Sequence, residues 1–488
     1  MTPDLALILA LAIPAGGAAA VALLSRWPNL REAATLAAGG LLFADVVYLV
    51  RAWGAGAVPD VEMVELFPGL TLALSPEPLG LLFALIASAL WIVTSIYAIG
   101  YMRAHGETSL TRFFACFAVA IAATMGVALA RNLLTLFVFY EVLTLSTYPL
   151  VTHHRTEAAK RSGRIYMGVL LSTSIGMFLL ALIWTWWRTG TLEFAPGGIL
   201  AGTMEGREVI VLLALFAFGT GKAALMPFHR WLPAAMVAPT PVSALLHAVA
   251  VVKAGVFTVL KIVVYVFGVD FLAAEGASVW LTYVAAFTLI AASLVALTRD
   301  NLKARLAYST ISQLAYIVLG AALANAWGVI GGGMHIAAHA FGKITLFFCA
   351  GAIYVTLHKT EISDMRGIGR RMPVTLFAFL IGSLSIIGLP PFGGAWSKWF
   401  LALGAADTGQ WILIAVLMIS SLLNIAYLMP VVLYGFFSAP DGGGNDGWAI
   451  KEAPLFCVVP LCLTALGCVV LFFYADRIYR LLAPIVAS

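Results

Sequence analysis

The sequence predicts an all-α polytopic membrane protein, a bundle of about fourteen transmembrane helices, and its composition is the first reason. Of the 488 residues, 62% are hydrophobic and 10% are charged, and the mean hydropathy is +1.00. Soluble domains are about half apolar and about a quarter charged, so a soluble chain of this composition would expose more apolar surface than monomers tolerate. We therefore expect one membrane domain over residues 1–488, surrounded by lipid. The net charge of +5 gives no reason to expect a nucleic-acid partner.

The second observation is the division of the chain into apolar stretches of about 20 residues, the length that crosses a bilayer. The predicted spans are 3–24, 33–52, 78–101, 112–130, 132–151, 164–187, 208–227, 239–267, 277–298, 302–323, 326–357, 373–403, 410–437 and 453–474. The longest connection, 53–77, is acidic and contains prolines. The first span has no basic region before it, so we expect no cleavable signal.

The third observation is the uneven distribution of basic residues. The odd-numbered loops hold seventeen lysines and arginines, whereas the even-numbered loops and the C-terminal tail hold six. Basic loops favour the cytoplasmic side, which predicts a multi-pass protein of the cell (inner) membrane with both termini on the outer side. We interpret the loop at His153 and His154 as a solvated cytoplasmic loop whose charges set topology.

Five of the nine lysines fall inside predicted spans. They are Lys222, Lys253, Lys261, Lys343 and Lys398. A lysine at the centre of a membrane helix costs roughly 2.5–3.5 kcal/mol. Such residues therefore indicate a functional path.

Two of these lysines lie in helices that we expect to be broken. In FGTGKAALMPFHRWLP, Gly219 and Gly221 flank Lys222, and Pro227 cannot donate a helical hydrogen bond. This pattern predicts a break in span 7 just past the lysine. In SIIGLPPFGGAWSKWF, the residues before Lys398 predict a second break, in span 12; they are Gly388, Pro390, Pro391, Gly393 and Gly394. Two interrupted helices at corresponding places predict inverted repeats around an ion path, and two independent structural kinks are the alternative.

The remaining ionisable groups lie in spans 5 and 8. Glu141 is the single acid of span 5, and Lys222 is its natural partner, because an unpaired buried carboxylate would protonate. A purely structural salt bridge is the alternative. Span 8 adds His247 and Lys253, about 9 Å apart along a helix. Lys261 lies nearer the outer end, where its side chain would reach the headgroups.

Span 11 places three ionisable residues on one helical face. His335, His339 and Lys343 follow an i, i+4, i+8 spacing. A lone histidine in a helix is usually only hydrogen-bonded, whereas three groups in register favour a proton relay. Span 10 adds a polar row that would hold water or join helices. Its members are Tyr308, Ser309, Ser312, Gln313 and Tyr316.

These residues favour proton translocation over two other classes of function. A stand-alone secondary transporter of an organic solute would need a roomy midplane cavity with polar groups around it. A redox enzyme binding quinone or haem would need ligand spacings that the sequence does not contain. The five cysteines form no CxxC pair, so we expect neither a metal nor a cofactor. Asp45 has no assigned role.

Three ordered motifs resemble those of the antiporter-like subunits shared by respiratory complex I, Mrp-type sodium/proton antiporters and membrane-bound hydrogenases. The motifs are GKAALMPFHRWLPAAMVAPTPVSALLHAVAVVKAG, HIAAHAFGKITLFFCAG and GLPPFGGAWSK. The resemblance implies a fourteen-helix fold with two inverted five-helix repeats, at 112–267 (helices 4–8) and 277–437 (helices 9–13). It implies that Glu141 and Lys222 match the helix 5 glutamate and the broken-helix lysine. The implied hydrophilic axis continues through Lys253, His335, His339, Lys343 and Lys398.

The chain departs from relatives of this kind at two positions. Ala234 follows WLP where many relatives carry an acid, and Lys398 stands where one complex I subunit type has glutamate. The resemblance therefore fits an Mrp D-like or hydrogenase-linked subunit best. It implies other membrane subunits as partners, with protons as the transported ion and Na⁺ as a candidate for exchange.

Overall fold

The computed structural model describes residues 2–439 and 449–486, except for the side chain of His247. Helices dominate it. The principal helices are α1 (Pro3–Leu23), α2 (Pro28–Gly54), α3 (Pro78–Ala104), α4 (Leu110–Ala128), α5 (Leu133–Val151), α6 (Glu157–Thr189), α7 (Arg207–Gly219), α8 (240–267), α9 (Val279–Leu297), α10 (Leu302–Ala322), α11 (Ala326–Leu357), α12 (Pro373–Ile387), α13 (Gly394–Asp407), α14 (Trp411–Phe437), α15 (Leu455–Phe473) and α16 (Ala475–Leu482). Every predicted span overlaps one of these helices or a broken pair.

Ten of the described helices are long and apolar enough to cross a membrane, and α8 with the short helix that follows it would add an eleventh. The other predicted spans correspond to α7, α10 and the pair α12 and α13. Glycines and prolines interrupt α7 and the α12–α13 pair. The first two turns of α10 carry Lys303 and Arg305, which lower its hydropathy. The prediction of a polytopic helical membrane protein is confirmed.

The sequence suggested that the 53–77 connection is a plain loop in a wholly helical fold. The structure instead forms two β-strands there. Strands β1 (Val61–Phe67) and β2 (Leu70–Leu74) pair antiparallel as a hairpin. Its turn runs between the paired residues Phe67 and Leu70, where Gly69 adopts a positive φ of 78° and donates its amide to Glu65 Oε1 at 2.9 Å. Proline at the first central position, Pro68, and glycine at the second, where φ is positive, are typical of a type II turn.

The start of α5 is fixed by a polar junction. Asn132 caps the helix by accepting a hydrogen bond from the Thr135 amide at 2.8 Å. The Asn132 amide group donates to Glu193 Oε1 at 3.2 Å. Backbone bonds reinforce the contact, because Phe194 N donates to Arg131 O at 3.2 Å. The segment after α6 is thereby tied to the first turn of α5.

The start of α10 repeats this junction. Asn301 accepts from the Ala304 amide at 3.1 Å and donates to Glu361 Oε1 at 2.9 Å. Ile362 N donates to Asp300 O at 3.0 Å, tying the segment after α11 to α10. Asn301 follows Asn132 by 169 positions, the same interval that separates the first residues of α4 and α9.

Two cavities show that the helix connections divide between two faces of the molecule. A cavity of about 390 Å³, the even-loop cavity, is lined by Asp60, Arg131 and Phe194, from the connections after α2, α4 and α6. A cavity of about 220 Å³, the odd-loop cavity, is lined by Glu107 and His154, from the connections after α3 and α5. Odd-numbered connections meet at one face and even-numbered ones at the other, as alternating membrane crossings require.

Candidate functional site

The first broken helix ends before Lys222, not just past it as predicted. Helix α7 stops at Gly219, and Lys222 lies in a short 3₁₀ turn, Gly221–Ala223. Both glycines are needed for close packing. A Cβ on Gly219 would lie 2.4 Å from the backbone nitrogen of Phe178, and one on Gly221 would lie 2.2 Å from Thr173 Oγ1. Glycine packing against α6, rather than Pro227, sets the point where the helix ends.

Lys222 is fully buried and is held by α5. Its Nζ donates to Tyr140 O at 2.8 Å and to the Thr144 hydroxyl, and it lies 3.2 Å from the centroid of the Tyr140 ring. The Lys222 amide also donates to the Tyr140 hydroxyl at 3.1 Å. Neutral oxygens and an aromatic face therefore solvate this ammonium group.

The predicted ion pair between Glu141 and Lys222 is not formed. Tyr140 and Thr144 are four residues apart and share the face of α5 that meets the lysine, so Glu141 points about 100° away around the helix. Neither carboxylate oxygen of Glu141 has a hydrogen-bond partner among the described residues. The two groups are still near enough to interact electrostatically. Glu141 is therefore a separate buried acid beside Lys222.

Helix α8 brings Lys253 to the centre of the bundle. The helix opens into a π-turn over Leu245–Val249, which contains His247, and resumes as regular helix at Val251. The side chain of His247 lies outside the described part of the structure. Lys253 is fully buried, and its Nζ contacts Nδ1 of His339 on α11.

The predicted histidine face of α11 is present and makes polar contacts. The rings of His335 and His339 stack at 6.0 Å between centroids. His335 Nδ1 lies 2.8 Å from the Ser397 hydroxyl, and its Nε2 lies 3.2 Å from Gln313 Oε1. His335 therefore joins the centre of the bundle to α10 and to the second broken helix.

Lys398 lies just after the second break, as predicted. Helix α12 ends at Ile387 and α13 begins at Gly394. Lys398 Nζ donates to the carbonyl of Ile387, freed by the helix end, at 2.9 Å. It also donates to Ser421 Oγ at 3.1 Å and lies 4.7 Å from the ring of Tyr316. Within 2–439 and 449–486, no carboxylate lies within 4.0 Å of it.

Lys343 is connected to His335 by polar side chains of α10 and α14. Its Nζ donates to the Ser309 hydroxyl, which lies 2.8 Å from the Tyr427 hydroxyl. Tyr427 bonds Asn424, whose Oδ1 accepts from Gln313 at 3.5 Å. Sequence reasoning missed Asn424 and Tyr427; the signal was an asparagine inside an apolar span. The polar row of α10 therefore connects Lys343 to His335.

The sequence suggested that Lys261 would reach the lipid headgroups, but in the structure it does not. It is fully buried, and its Nζ lies 3.3 Å from Glu77 Oε1 and donates to Ala130 O at 2.8 Å. The acid before α3 supplies a nearer partner than the lipid phosphates. Asp45 is also buried, without a hydrogen-bond partner among the described residues.

The buried residues described above, apart from Lys261 and Asp45, form a row across the bundle. Each of them either carries a group that can bind or release a proton or is hydrogen-bonded to such a group. From Lys253, contacts run through His339 and His335 to Ser397, which precedes Lys398. These contacts form a connected row of buried ionisable and polar groups across the bundle, in which the His339 and His335 rings meet by stacking.

Comparison with known proteins assigns the family. Residues 130–424 match the family model described as NADH:quinone oxidoreductase/Mrp antiporter, TM. The chain is 30% identical to NADH-quinone oxidoreductase subunit N of Desulforudis audaxviator, over 84% of this chain and 83% of that protein. It is 31% identical to NADH-quinone oxidoreductase subunit L of Mycobacterium tuberculosis, over 84% of this chain and 65% of that longer protein.

Solved structures share the fold. A chain of the archaeal membrane-bound sulfane sulfur reductase matches with a TM-score of 0.87 and 26% identity, over 98% of this chain and 96% of that one. A chain of the Mrp complex from Dietzia matches with a TM-score of 0.88 and 22% identity, over 100% and 97%. The family model over residues 130–424 and the relative at 30% identity show that the chain belongs to the NADH:quinone oxidoreductase/Mrp antiporter transmembrane family.

Proposed function

We propose that this chain translocates protons as one membrane subunit of a larger complex, along the path from Glu141 and Lys222 through Lys253 to Lys398. The contacts that join Lys253, His339 and His335 to the second broken helix carry the proposal. They link two helices, α8 and α11, to a third across the buried centre. A structural role alone would not require this many ionisable groups where each is costly.

The first step, from Lys222 to Lys253, is supported by packing. A Cβ on Gly255 would lie 2.3 Å from the Lys222 carbonyl carbon, so α8 contacts the broken helix two residues from Lys253. His247 lies on the intervening π-turn. We assign it to this step; the sequence named it among the proton-translocating residues without giving it a place on the path.

The two repeats proposed from the sequence, 112–267 and 277–437, are supported by the matching junctions at Asn132 and Asn301. Five predicted spans separate these junctions, so the same local structure stands at opposite faces. In such a repeat the two broken helices face opposite sides of the membrane, which would give Lys222 and Lys398 access to water from opposite directions.

The partners are proposed to be membrane subunits of an Mrp-, hydrogenase- or complex I-type assembly, since the matched structures include chains of an Mrp complex and of a respiratory membrane complex. Lys398 borders an apolar cavity of about 890 Å³ on the side of the bundle. Trp396 and Trp399, which also line it, are 37% and 59% exposed. Because this apolar surface lies beside a charged group, we propose that a neighbouring subunit covers it rather than lipid.

Protons are favoured over Na⁺ as the ion on this path. Its members after Glu141 are lysines, histidines and neutral hydrogen-bonding groups. Oxygen ligands bind hard cations, and an ammonium group repels them. Exchange for Na⁺ would need a site elsewhere in the complex.

The function is tested at Lys253. We expect Lys253→Met to lower proton uptake by membrane vesicles, followed with a pH-sensitive dye, by about a hundredfold, since a positioned proton-transfer group contributes about 10²–10⁴-fold. Thermal stability of the purified complex should not fall, because methionine has a similar shape and removes a buried charge. The control is Lys160→Met, which removes an exposed lysine. Unchanged uptake with a lower melting temperature would make Lys253 a structural residue.

We also propose that both termini lie outside the cell and that the odd-numbered loops face the cytoplasm. In intact cells, an impermeant maleimide should label Val64→Cys, in the hairpin, and should not label Ala158→Cys, in the first turn of α6, until the membrane is opened. Both positions are exposed, and the unsubstituted protein gives the background from its native cysteines. Labelling of Ala158→Cys alone in intact cells would reverse the orientation.

A further inference from the structure

An acidic residue outside the path is surrounded by three histidines. Glu107 lies in the connection between α3 and α4. Its carboxylate oxygens lie 3.8 Å from His105 Nε2, 3.5 Å from His153 Nε2 and 3.6 Å from His154 Nδ1. These four residues, the Glu107 cluster, come from two connections that the chain brings together at the face of the odd-numbered loops.

The cluster extends from water into the protein. The side chains of His105 and His154 are 28% and 34% exposed, whereas those of Glu107 and His153 are 9% and 2% exposed. The expectation that His153 and His154 lie together in a solvated loop is therefore wrong for His153. Two histidines can meet protons from the aqueous phase, and the acid and the third histidine lie behind them.

Other charged groups near the cluster are already engaged. Arg112 on α4 donates to the His153 carbonyl at 2.9 Å. Lys303 on α10 donates to Ala238 O at 2.6 Å. Lys359 bonds the carbonyl of Asp364, and Tyr101 of α3 and Tyr354 of α11 face His105 as aromatic neighbours. In the described part of the chain, the histidines alone come within ion-pair distance of Glu107.

The electrostatics of the cluster favour an ionised acid beside a histidine that gives up its proton readily. Burial would raise the pKa of the Glu107 carboxyl, but His153, His154 and His105 around it hold that pKa below its usual value. Burial lowers the pKa of His154, and the Glu107 carboxylate partly offsets this. Glu107 therefore stays ionised and attracts protons, while His154 releases them readily.

The odd-loop cavity leads from the cluster toward the path. His105, Glu107 and His154 line it, and so does Leu302 in the first turn of α10. Leu306 lies one turn further, about 6 Å along the helix, and its carbonyl is 3.4 Å from Lys343 Nζ. A volume of about 220 Å³ admits several waters. The cavity thus ends about one helical turn from a buried lysine of the path.

We propose that the Glu107 cluster is a proton-collecting site, which takes protons from water at the face of the odd-numbered loops and passes them through the odd-loop cavity to Lys343. The inference rests on the proton translocation proposed above and adds its entry point. Metal binding is a poorer explanation, because no group of described histidines, cysteines and acids is arranged to hold a metal ion.

The test measures how uptake depends on pH. A triple variant, His105→Asn, His153→Asn and His154→Asn, should match the wild-type complex within about twofold at pH 6 and fall about tenfold below it at pH 8.5, because collection limits the rate only when protons are scarce. Glu107→Gln should shift the profile in the same direction. The matched control is His358→Asn, an exposed histidine after α11 with a φ of 55°, which asparagine tolerates; its profile should not change.

Three outcomes would overturn the proposal. The triple variant could show an unchanged pH profile or an equal loss of uptake at every pH. The His358→Asn control could also lose uptake at pH 8.5 and recover it at pH 6. An equal loss would mean that the cluster only holds the two connections together. If the triple variant does not assemble, the single His154→Asn change, at a partly exposed side chain, should still give a smaller shift of the same sign. Loss of proton uptake in the Lys253 variant is scored separately, so failure of the entry site is distinguishable from failure of the path.

Discussion

Membrane vesicles that carry Lys222→Ala in the assembled complex are expected to lose proton uptake, by about a hundredfold or more. Lys222 is the ammonium group at the first break, and the groups that bind it belong to α5. Alanine removes the ammonium group that the proposed path places between Glu141 and α8. Because the lysine is bound by neutral oxygens, its loss leaves no unpaired carboxylate in hydrogen-bond contact, and assembly should survive.

Two further variants show which property of the lysine matters. Glu141→Ala should also abolish uptake, since the proposed path begins at Glu141. Thr144→Val keeps Lys222 but removes one hydroxyl that binds it, so we expect a smaller loss, of about tenfold, for a displaced but titratable lysine. Co-purification of the other subunits checks assembly. Full uptake in both alanine variants would leave the two residues with a structural role only.

The sequence singled out the buried ionisable groups of the bundle because each of them is energetically expensive inside a membrane. A lysine or histidine in an apolar span needs no contact information to be singled out, and the glycines and prolines near Lys222 and Lys398 predicted both breaks. The apolar spans likewise predicted the helices. These features depend on residues close together in the chain, so they can be predicted without knowing how the helices pack.

The contacts between helices could not be predicted in this way. Whether Glu141 faces Lys222 depends on the rotation of α5 within the bundle, and Tyr140 and Thr144 occupy that face instead. Lys261 appeared to have only lipid available, because its partner Glu77 lies 184 residues away in the sequence. His153 is buried because the α3–α4 connection folds over it. In each case the deciding neighbour is distant in sequence.

The hydrogen bonds of Lys398 allow a substitution that keeps the positive charge, which tests the path more strictly than a substitution that removes it. All are to neutral groups, the Ile387 carbonyl and the Ser421 hydroxyl, with the face of Tyr316 nearby. A carboxylate partner would hold the proton on the lysine. The surroundings therefore bind the ammonium group without fixing its charge, as a group that must release its proton requires.

Lys398→Arg should therefore preserve assembly but stop turnover. Arginine keeps the positive charge and can donate to the same oxygens, but it holds its proton at least about two pKa units more tightly than lysine, a penalty of about a hundredfold on any step that releases it. The control is Lys261→Arg, the same change at a buried lysine whose partner is Glu77, where only charge is needed and uptake should stay near normal. Proton uptake in vesicles measures both. Near-normal uptake with Lys398→Arg would mean that position 398 needs only to be positive, and the path beyond Lys222 would then have to end before the second broken helix.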